Sequence, residues 1–318
     1  MSIAESSIVP DSGALGVSAE GVARRFGTVH AVEHIDFHAP VGKVTALIGP
    51  NGAGKTTLLL MLASLLRPDS GTIRINGLDP LRDSAAARLQ IGWMPDTLGV
   101  WESLTAREIL VQMARFYRLP KAGIVHRVAG LLELVRLDGL ADQPARVLSR
   151  GQQQRLSLAR ALIHDPSVLL LDEPASGLDP GSRVELRTLL RRLAGEGKAV
   201  VVSSHVLSEL DEIADGAVFV SQGRTVKQQT LEEAALQGRR YAITALDNAA
   251  LTAKLSELGL EYRVEAGRRP SVTLLLTHDD GAAALLGELV RSGVGVVSFA
   301  PAAGALEETY MNLDTERP

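Results

Sequence analysis

Short apolar runs alternate along this chain with helix-length stretches, which is the pattern of an α/β protein. Val44–Ile48, Val168–Leu171 and Ala199–Ser203 lack polar alternation and predict buried strands, the last two in a parallel sheet. Further strands are predicted at Val17–Gly27, Ala31–Pro40, Gly71–Gly77 and Leu89–Met94, and a hairpin at Val218–Val220 and Thr225–Lys227. Helices are predicted over Leu58–Leu66, across residues 104–140 and over Gln152–Ile163.

From Arg239 the pattern changes to strand, helix, strand, strand, helix, strand. The predicted elements are Tyr241–Ala245, Asn248–Leu258, Tyr262–Glu265, Val272–Thr277, Ala282–Ser292 and Val294–Ala300. That order predicts a small ferredoxin-like α+β domain over 237–318. Residues 17–236 form the main predicted domain, and residues 1–16 a flexible leader.

Composition narrows the class of protein. The chain has 318 residues, enough for two domains, and 46% of them are apolar, so it is globular. A net charge of −4 gives no electrostatic case for nucleic acid as a partner, and the absence of cysteine excludes disulfides and thiolate catalysis. The N-terminus does not have the pattern of a secretory signal, and the apolar run Leu58–Leu66 is about half the length that crosses a bilayer.

A glycine-rich loop between a predicted strand and a predicted helix carries the first sign of chemistry. The loop fits the pattern G-x-x-x-x-G-K-[ST], in which backbone N–H groups and a helix N-terminus bind nucleotide phosphates. Its residues are Gly49, Pro50, Asn51, Gly52, Ala53, Gly54, Lys55, Thr56 and Thr57. Lys55 would contact the β- and γ-phosphates, and Thr56 would offer a hydroxyl to Mg²⁺. The alternative is a glycine-rich turn with a lysine by chance.

Two acids follow the buried strand Val168–Leu171. The carboxyl end of a parallel strand faces the ligand crevice of an open α/β sheet. Asp172 could therefore hold Mg²⁺, and Glu173 could orient or deprotonate an attacking water. The alternative is a pair of acids that cap the next turn.

The segment Leu148–Leu162, with LSRGQ followed by QQRLSLARAL, resembles the signature motif of ABC-type ATPases. Ala175–Pro180 resembles the D-loop of that family, and Ser203-Ser204-His205 resembles its switch histidine. With the phosphate loop and the acidic pair, five motifs stand in the family's order over about residues 20–225. The resemblance implies an ABC cassette of the P-loop NTPase fold: a mixed sheet core, an antiparallel β subdomain and a helical subdomain at about 98–160.

The resemblance also implies roles for residues. Two cassettes would pair head to tail over two ATP molecules, each with Mg²⁺. The signature residues of one subunit, Ser149, Arg150, Gly151 and Gln152, would face the nucleotide of the other. Asp179 would bridge the subunits, and His205 would hold the γ-phosphate and the attacking water. Phe26 stands where the family stacks an aromatic ring on adenine, although it could instead be a core residue beside Val22.

Two positions depart from the family pattern. Asp96 stands where the family usually has a glutamine that links Mg²⁺ to the transporter interface. Its carboxylate could bind Mg²⁺ or serve as a turn residue. Arg150 replaces the first glycine of the signature and could add charge near the nucleotide or face solvent. Neither change removes a catalytic group, so we expect ATP hydrolysis.

The tail Ala305–Leu313 resembles the ending of ATP-binding subunits of ABC-2-type exporters, although it could be only a short amphipathic helix. The resemblance implies a peripheral subunit on the cytoplasmic face of the membrane, which docks on separately encoded permease subunits. Trp101, Phe116 and Tyr117 are candidate docking contacts, or ordinary core residues. The alternatives are a soluble ABC ATPase with a mechanical or regulatory role, and a nucleotide-binding scaffold with little hydrolysis.

Overall fold

The computed structural model describes residues 14–315 except 98, 100, 237, 266–269 and 278. The described chain forms two compact units. The first unit holds the residues up to His205 together with Val218–Gln228. The second holds Val206–Ala217 and the residues from Gln229 onward. Most of the predicted leader lies outside the described residues, and its predicted end at residue 16 lies inside the first strand.

The strands and helices follow the predicted order. The strands are β1 (Leu15–Phe26), β2 (Val29–Pro40), β3 (Val44–Ile48), β4 (Ser70–Ile75), β5 (Ile91–Met94), β6 (Val168–Asp172), β7 (Ala199–Ser203), β8 (Gly216–Ser221), β9 (Arg224–Thr230), β10 (Arg239–Ala245), β11 (Arg263–Glu265), β12 (Ser271–Leu276) and β13 (Val296–Pro301). The helices are α1 (Lys55–Leu62), α2 (Ser84–Gln90), α3 (Ala106–Phe116), α4 (Lys121–Leu134), α5 (Arg150–Leu162), α6 (Pro180–Gly195), α7 (Leu207–Asp211), α8 (Leu231–Leu236), α9 (Asn248–Glu257), α10 (Asp279–Arg291) and α11 (Ala305–Thr315).

The strands β1 to β9 form one mixed sheet, in the order β4-β1-β2-β9-β8-β3-β7-β6-β5. The run β3-β7-β6-β5 is parallel, and every residue of β3, β6 and β7 is buried, as their lack of polar alternation predicts. The pairs β1–β2 and β1–β4 are antiparallel. The register sets Asp172 beside Ser203 at the carboxyl edge of the parallel strands.

Helices α3, α4 and α5 fall within the predicted helical subdomain. Thr105 caps α3 in a reciprocal capping box with Glu108, which satisfies donors at the start of that helix. The predicted helical stretch 104–140 is interrupted after Phe116, where Arg118 has a φ of 56° and Pro120 immediately precedes α4 as its N-cap. A proline lacks the N–H that a continuous helix requires, so two helices form in place of one.

The second unit contains a four-stranded antiparallel sheet in the order β11-β12-β10-β13. Its element order is β-α-β-β-α-β, and α9 and α10 contribute Leu251, Leu255, Leu285 and Leu289 to its apolar core. Helix α11 packs against α7 and α8 in the same unit. Among the described residues, no helix has the length and apolar character needed to cross a membrane.

Candidate functional site

The phosphate loop joins β3 to α1, as predicted, and α1 begins at Lys55. Its glycines are required by geometry. Gly54 has a φ of 100°, and a Cβ there would lie 2.5 Å from the carbonyl oxygen of Ala31. A Cβ on Gly49 would lie 2.2 Å from the carbonyl oxygen of Val220. No side chain caps the start of α1, so the loop presents a helix N-terminus to an anion.

Lys55 is buried, and its ammonium group points back along the loop. Its Nζ donates to the carbonyl oxygens of Gly49 at 2.7 Å and Pro50 at 3.1 Å. Burial lowers the pKa of Lys55, while the charges of Glu173 and Asp172 act in the opposite direction. The cation therefore lies between the glycine loop and the acids of β6, where a phosphate would meet it.

The structure brings the two predicted Mg²⁺ ligands of the loop and the strand together. Thr56 Oγ1 donates to Asp172 Oδ2 over 3.0 Å, and Asp172 is 3% exposed. A hydroxyl and a carboxylate are the hard oxygen donors that Mg²⁺ prefers, so these residues fit the ion. Asp96 lies two residues beyond Met94, which pairs with Leu171, and so stands near the same edge of the sheet. It is exposed, and no hydrogen bond or ion pair of the described chain joins it to the other two.

Glu173 has an unusual backbone and a restrained side chain. Its φ of 51° lies in the left-handed region, which few residues other than glycine occupy. Its N–H donates to the carbonyl oxygen of Ser203 at 3.2 Å and to Ser203 Oγ at 3.1 Å. His205 Nδ1 lies 2.8 Å from Glu173 Oε2, so the structure joins the two predicted catalytic residues. Burial raises the pKa of Glu173, and the contact with His205 lowers it in part.

Two polar residues that sequence reasoning gave no role complete this arrangement. Ser203 donates from Oγ to Asp172 Oδ1 at 2.5 Å, and Gln154 donates from Nε2 to the carbonyl oxygen of Glu173 at 3.0 Å. Both are buried, Ser203 fully and Gln154 to 2% exposure. The sequence signal that could have found them is a polar residue at a position where the strand or helix is otherwise apolar.

The signature residues Ser149 to Gln152 open α5, which begins two residues earlier than predicted. Ser149 Oγ accepts from the Gln152 N–H, and Gln152 Oε1 accepts from the Ser149 N–H, so the two form a capping box. Arg150 donates to Ser176 Oγ at 3.2 Å, and a Cβ on Gly177 would lie 2.8 Å from its Cδ. Arg150 is exposed, and its side chain lies against the segment 175–180.

Asp179 caps α6 through its own hydrogen bonds. Its Oδ1 accepts from the Ser182 N–H at 3.0 Å, and its Oδ2 accepts from Ser182 Oγ at 2.5 Å. These bonds with Ser182 lower the pKa of Asp179, so the carboxylate is ionised.

The aromatic candidates divide into exposed and packed rings. Phe26 is 47% exposed, with the guanidinium of Arg24 4.9 Å from its ring centre, so it is not a core residue. Trp101 and Phe116 are also exposed, with ring centres 6.4 Å apart. Tyr117 instead stacks on His164 at 3.7 Å with an interplanar angle of 7°, so packing accounts for it.

Comparison with known proteins decides the family. The profile of the ABC transporter family, described as "ABC transporter", matches residues 32–176. The chain is 32% identical over 300 residues to the daunorubicin resistance ATP-binding protein DrrA3 of Streptomyces coeruleorubidus, an alignment that covers 93% of this chain and 95% of that one. This chain belongs to the ABC transporter family. It is an ATP-binding, ATP-hydrolysing subunit, and the cassette fold and the ATPase activity that the motifs implied are confirmed.

Two further likenesses place this ABC ATPase among its relatives. It is 38% identical over 212 residues to the Nod factor export ATP-binding protein I of Ralstonia nicotianae, covering 67% of this chain and 66% of that protein. Its fold matches the dimeric post-hydrolysis structure of the ATP-binding cassette MJ0796 bound to ADP and Pi, with a TM-score of 0.61 and 26% identity. That match covers 67% of this chain and 98% of the other.

Proposed function

We propose that this ABC ATPase drives export of a small compound through separately encoded membrane subunits, and that two copies close over two ATP molecules. Support for export comes from two relatives whose names denote export or drug resistance. The alignment with the daunorubicin resistance protein covers nearly the whole of both chains, so it extends into the second unit as well as the cassette. The dimeric MJ0796 cassette supports pairing of two copies.

Glu173 is the proposed general base. Its carboxylate takes a proton from the attacking water, whose oxygen bonds to the γ-phosphorus while the bond from that phosphorus to the β–γ bridging oxygen breaks. The products are ADP and inorganic phosphate. The observation that carries this assignment is the 2.8 Å contact between Glu173 and His205 beside the Thr56–Asp172 hydrogen bond. The side chain of His205 is 65% exposed, so it can also contact the γ-phosphate of a nucleotide bound at the protein surface.

The remaining proposed contacts surround the nucleotide. The loop Gly49–Thr57 binds the phosphates with its N–H groups and Lys55, and Phe26 stacks on the adenine. Thr56 and Asp172 hold Mg²⁺, with Asp96 joining from the neighbouring strand end. When bound, Mg²⁺ supplies charge neutralisation at the phosphate oxygens. The N-terminus of α5, with Ser149 to Gln152, faces the γ-phosphate held by the second copy, and Asp179 lies at the junction of the two.

Docking to the membrane subunits is assigned to the exposed pair Trp101 and Phe116, near Asp96. Exposed aromatic side chains are favoured as anchors in protein interfaces. The proposed location of the ATPase is peripheral, on the cytoplasmic face of the membrane. The opening and closing of the dimer would then move the membrane subunits, because loss of the γ-phosphate removes a ligand that favours the closed state.

The substitution Glu173→Gln tests the assignment. It keeps the shape of the side chain but removes the base, so the rate of hydrolysis should fall roughly 10²- to 10⁴-fold while ATP still binds. With Mg²⁺ and ATP, the variant should accumulate as a dimer, measured by light scattering of the full chain. Glu196→Gln is the matched control, because Glu196 is an exposed acid at the end of α6. An undiminished rate would remove Glu173 from this role, and a strictly monomeric variant at high concentration would contradict the paired site.

A further inference from the structure

The backbone of Glu173 is held on both sides. Its N–H donates to Ser203 on β7, and its carbonyl oxygen accepts from Gln154 Nε2 at 3.0 Å and from the Ser176 N–H at 3.1 Å. The carbonyl belongs to a turn that runs from Glu173 through Pro174 to Ser176. With a left-handed φ at Glu173, these bonds decide which way its side chain leaves the strand.

Gln154 lies in the second turn of α5 and is 2% exposed. A buried side-chain amide must find a partner, since an unsatisfied donor loses its hydration without compensation. Here the partner is the carbonyl of the acid that faces the nucleotide. The helix that begins at Ser149 is thereby joined directly to the loop that carries Glu173.

We infer that Gln154 is a positioning residue for hydrolysis, which fixes the carboxylate of Glu173 by holding its backbone carbonyl. The inference rests on the proposed role of Glu173 as the general base. Gln154 itself touches no reacting atom. Loss of its donor would let the carbonyl and the attached turn relax, so the carboxylate would spend less time in its productive position.

The substitution Gln154→Met removes the donor and keeps the length and apolar stem of the side chain. We expect kcat for ATP hydrolysis by the full chain to fall roughly 3- to 10-fold, the effect of one hydrogen bond, with KM for ATP unchanged. Gln153→Met is the matched control. Gln153 is the preceding residue of the same helix and donates from Nε2 to the carbonyl oxygen of Ala145 at 3.1 Å, away from Glu173. Its substitution should leave kcat at the wild-type value.

A double-mutant cycle separates positioning from general stability. In the Glu173→Gln background, Gln154→Met should have no further effect on the residual rate, because the base it positions is already gone. If Gln154→Met does not fold, Gln154→Glu is measured instead. It has the same shape but turns an acceptor towards the carbonyl, and should lower kcat at least as much.

The two proposals fail differently. If Glu173→Gln keeps the wild-type rate, the general-base assignment fails. If Glu173→Gln is slow but the Gln154 variant has the same kcat as Gln153→Met, Gln154 is not a positioning residue. The same conclusion follows if the Gln154 substitution lowers the rate of Glu173→Gln by the same factor as it lowers the rate of the wild type.

Discussion

At the scale of single residues, the site is held together by polar groups that are buried with one another. Asp172, Ser203 and Gln154 are at most 3% exposed, and each has a hydrogen-bond partner in the same cluster. An unpaired buried donor or acceptor costs about 1–3 kcal/mol, so removal of the Ser203 hydroxyl would destabilise Asp172, whose Oδ1 accepts from it. The residues with predicted catalytic or Mg²⁺-binding roles therefore depend for their geometry on buried neighbours that had no predicted role.

His164 gives the clearest pH dependence. Its ring stacks on Tyr117, and its Nε2 lies 3.0 Å from the carbonyl oxygen of Ile91. Burial lowers the pKa of His164 to about 4. Between pH 6.5 and pH 4 the unfolded chain binds a proton there that the folded chain does not, so the free energy of unfolding rises with pH in that window. Acidification through this window lowers the free energy of unfolding by at most about 3 kcal/mol. The actual loss is smaller, because the ring is partly exposed and solvent screens its charge.

The substitution His164→Phe tests this account. The ring stack with Tyr117 remains possible, and the group that titrates is removed. We expect the urea midpoint of the wild type to fall more steeply than that of the variant as the pH is lowered from 6.5 to 4.5. His126→Gln, at an exposed position on α4, should behave as the wild type. Parallel pH curves for the wild type and His164→Phe would show that the pKa of this histidine is the same in the folded and unfolded chain.

At the scale of elements, the exposed aromatic pair of the helical region carries a prediction about docking. Trp101 and Phe116 are 43% and 69% exposed. If they anchor the membrane subunits, Trp101→Asp with Phe116→Asp should reduce the recovery of the full chain on washed membranes of its source cells roughly tenfold or more. The double variant should still hydrolyse ATP, because neither residue is among the proposed contacts with the nucleotide.

The matched control for the aromatic pair is Leu246→Asp. Leu246 is apolar and 86% exposed, and it follows β10, outside the helical region. The same added charge there should leave membrane recovery unchanged. Equal recovery of the aromatic double variant and the control would show that the permease contacts lie elsewhere.

Local pattern predicted most elements but not all of their ends. The largely apolar strands β3, β6 and β7 were identified from sequence, because a strand buried on both faces has no polar alternation. Leu89 was assigned to a strand, yet α2 continues to Gln90 before β5 begins, since a short apolar run fits either element. In the site, the loop and the acids could be predicted from their local sequence context, and the histidine only from the resemblance of its motif to the ABC family. The donor that Gln154 offers to Glu173 could not, since it depends on how α5 lies against the turn that follows β6.

At the scale of the whole molecule, the single boundary predicted at residue 236 does not coincide with the compact units. The second unit includes Val206–Ala217, which precedes β9 in sequence. Helix α11 accounts for this division, because it packs on α7 and α8 from the end of the chain. The Leu306 N–H donates to Asp211 Oδ1 at 2.8 Å, and Gln229 Nε2 donates to Thr309 Oγ1 at 2.8 Å. Such contacts between distant segments leave no signal in local composition.

This packing predicts which truncation succeeds. Removal of 237–318 would take away α11 and expose Leu210 and Ala234, which are now buried on α7 and α8. Excision of 241–301 would remove the four-stranded sheet together with α9 and α10, which share its apolar core. The ends to be joined already meet, because the Ala302 N–H donates to the carbonyl oxygen of Arg240 at 2.7 Å. A two-glycine linker can close an antiparallel pair of this kind.

We therefore expect the chain without 241–301, closed by Gly-Gly, to remain soluble and to hydrolyse ATP within a few-fold of the wild-type rate. The chain that ends at residue 236 should aggregate or melt at lower temperature, because apolar surface on α7 and α8 would face water. Circular dichroism melting and size-exclusion chromatography compare the two. The opposite ranking would contradict this account. A chain ending at residue 236 that is as stable as the wild type would show that α11 does not stabilise α7 and α8. An unfolded chain without 241–301 would show that the remaining residues need the sheet of β10 to β13 in order to fold.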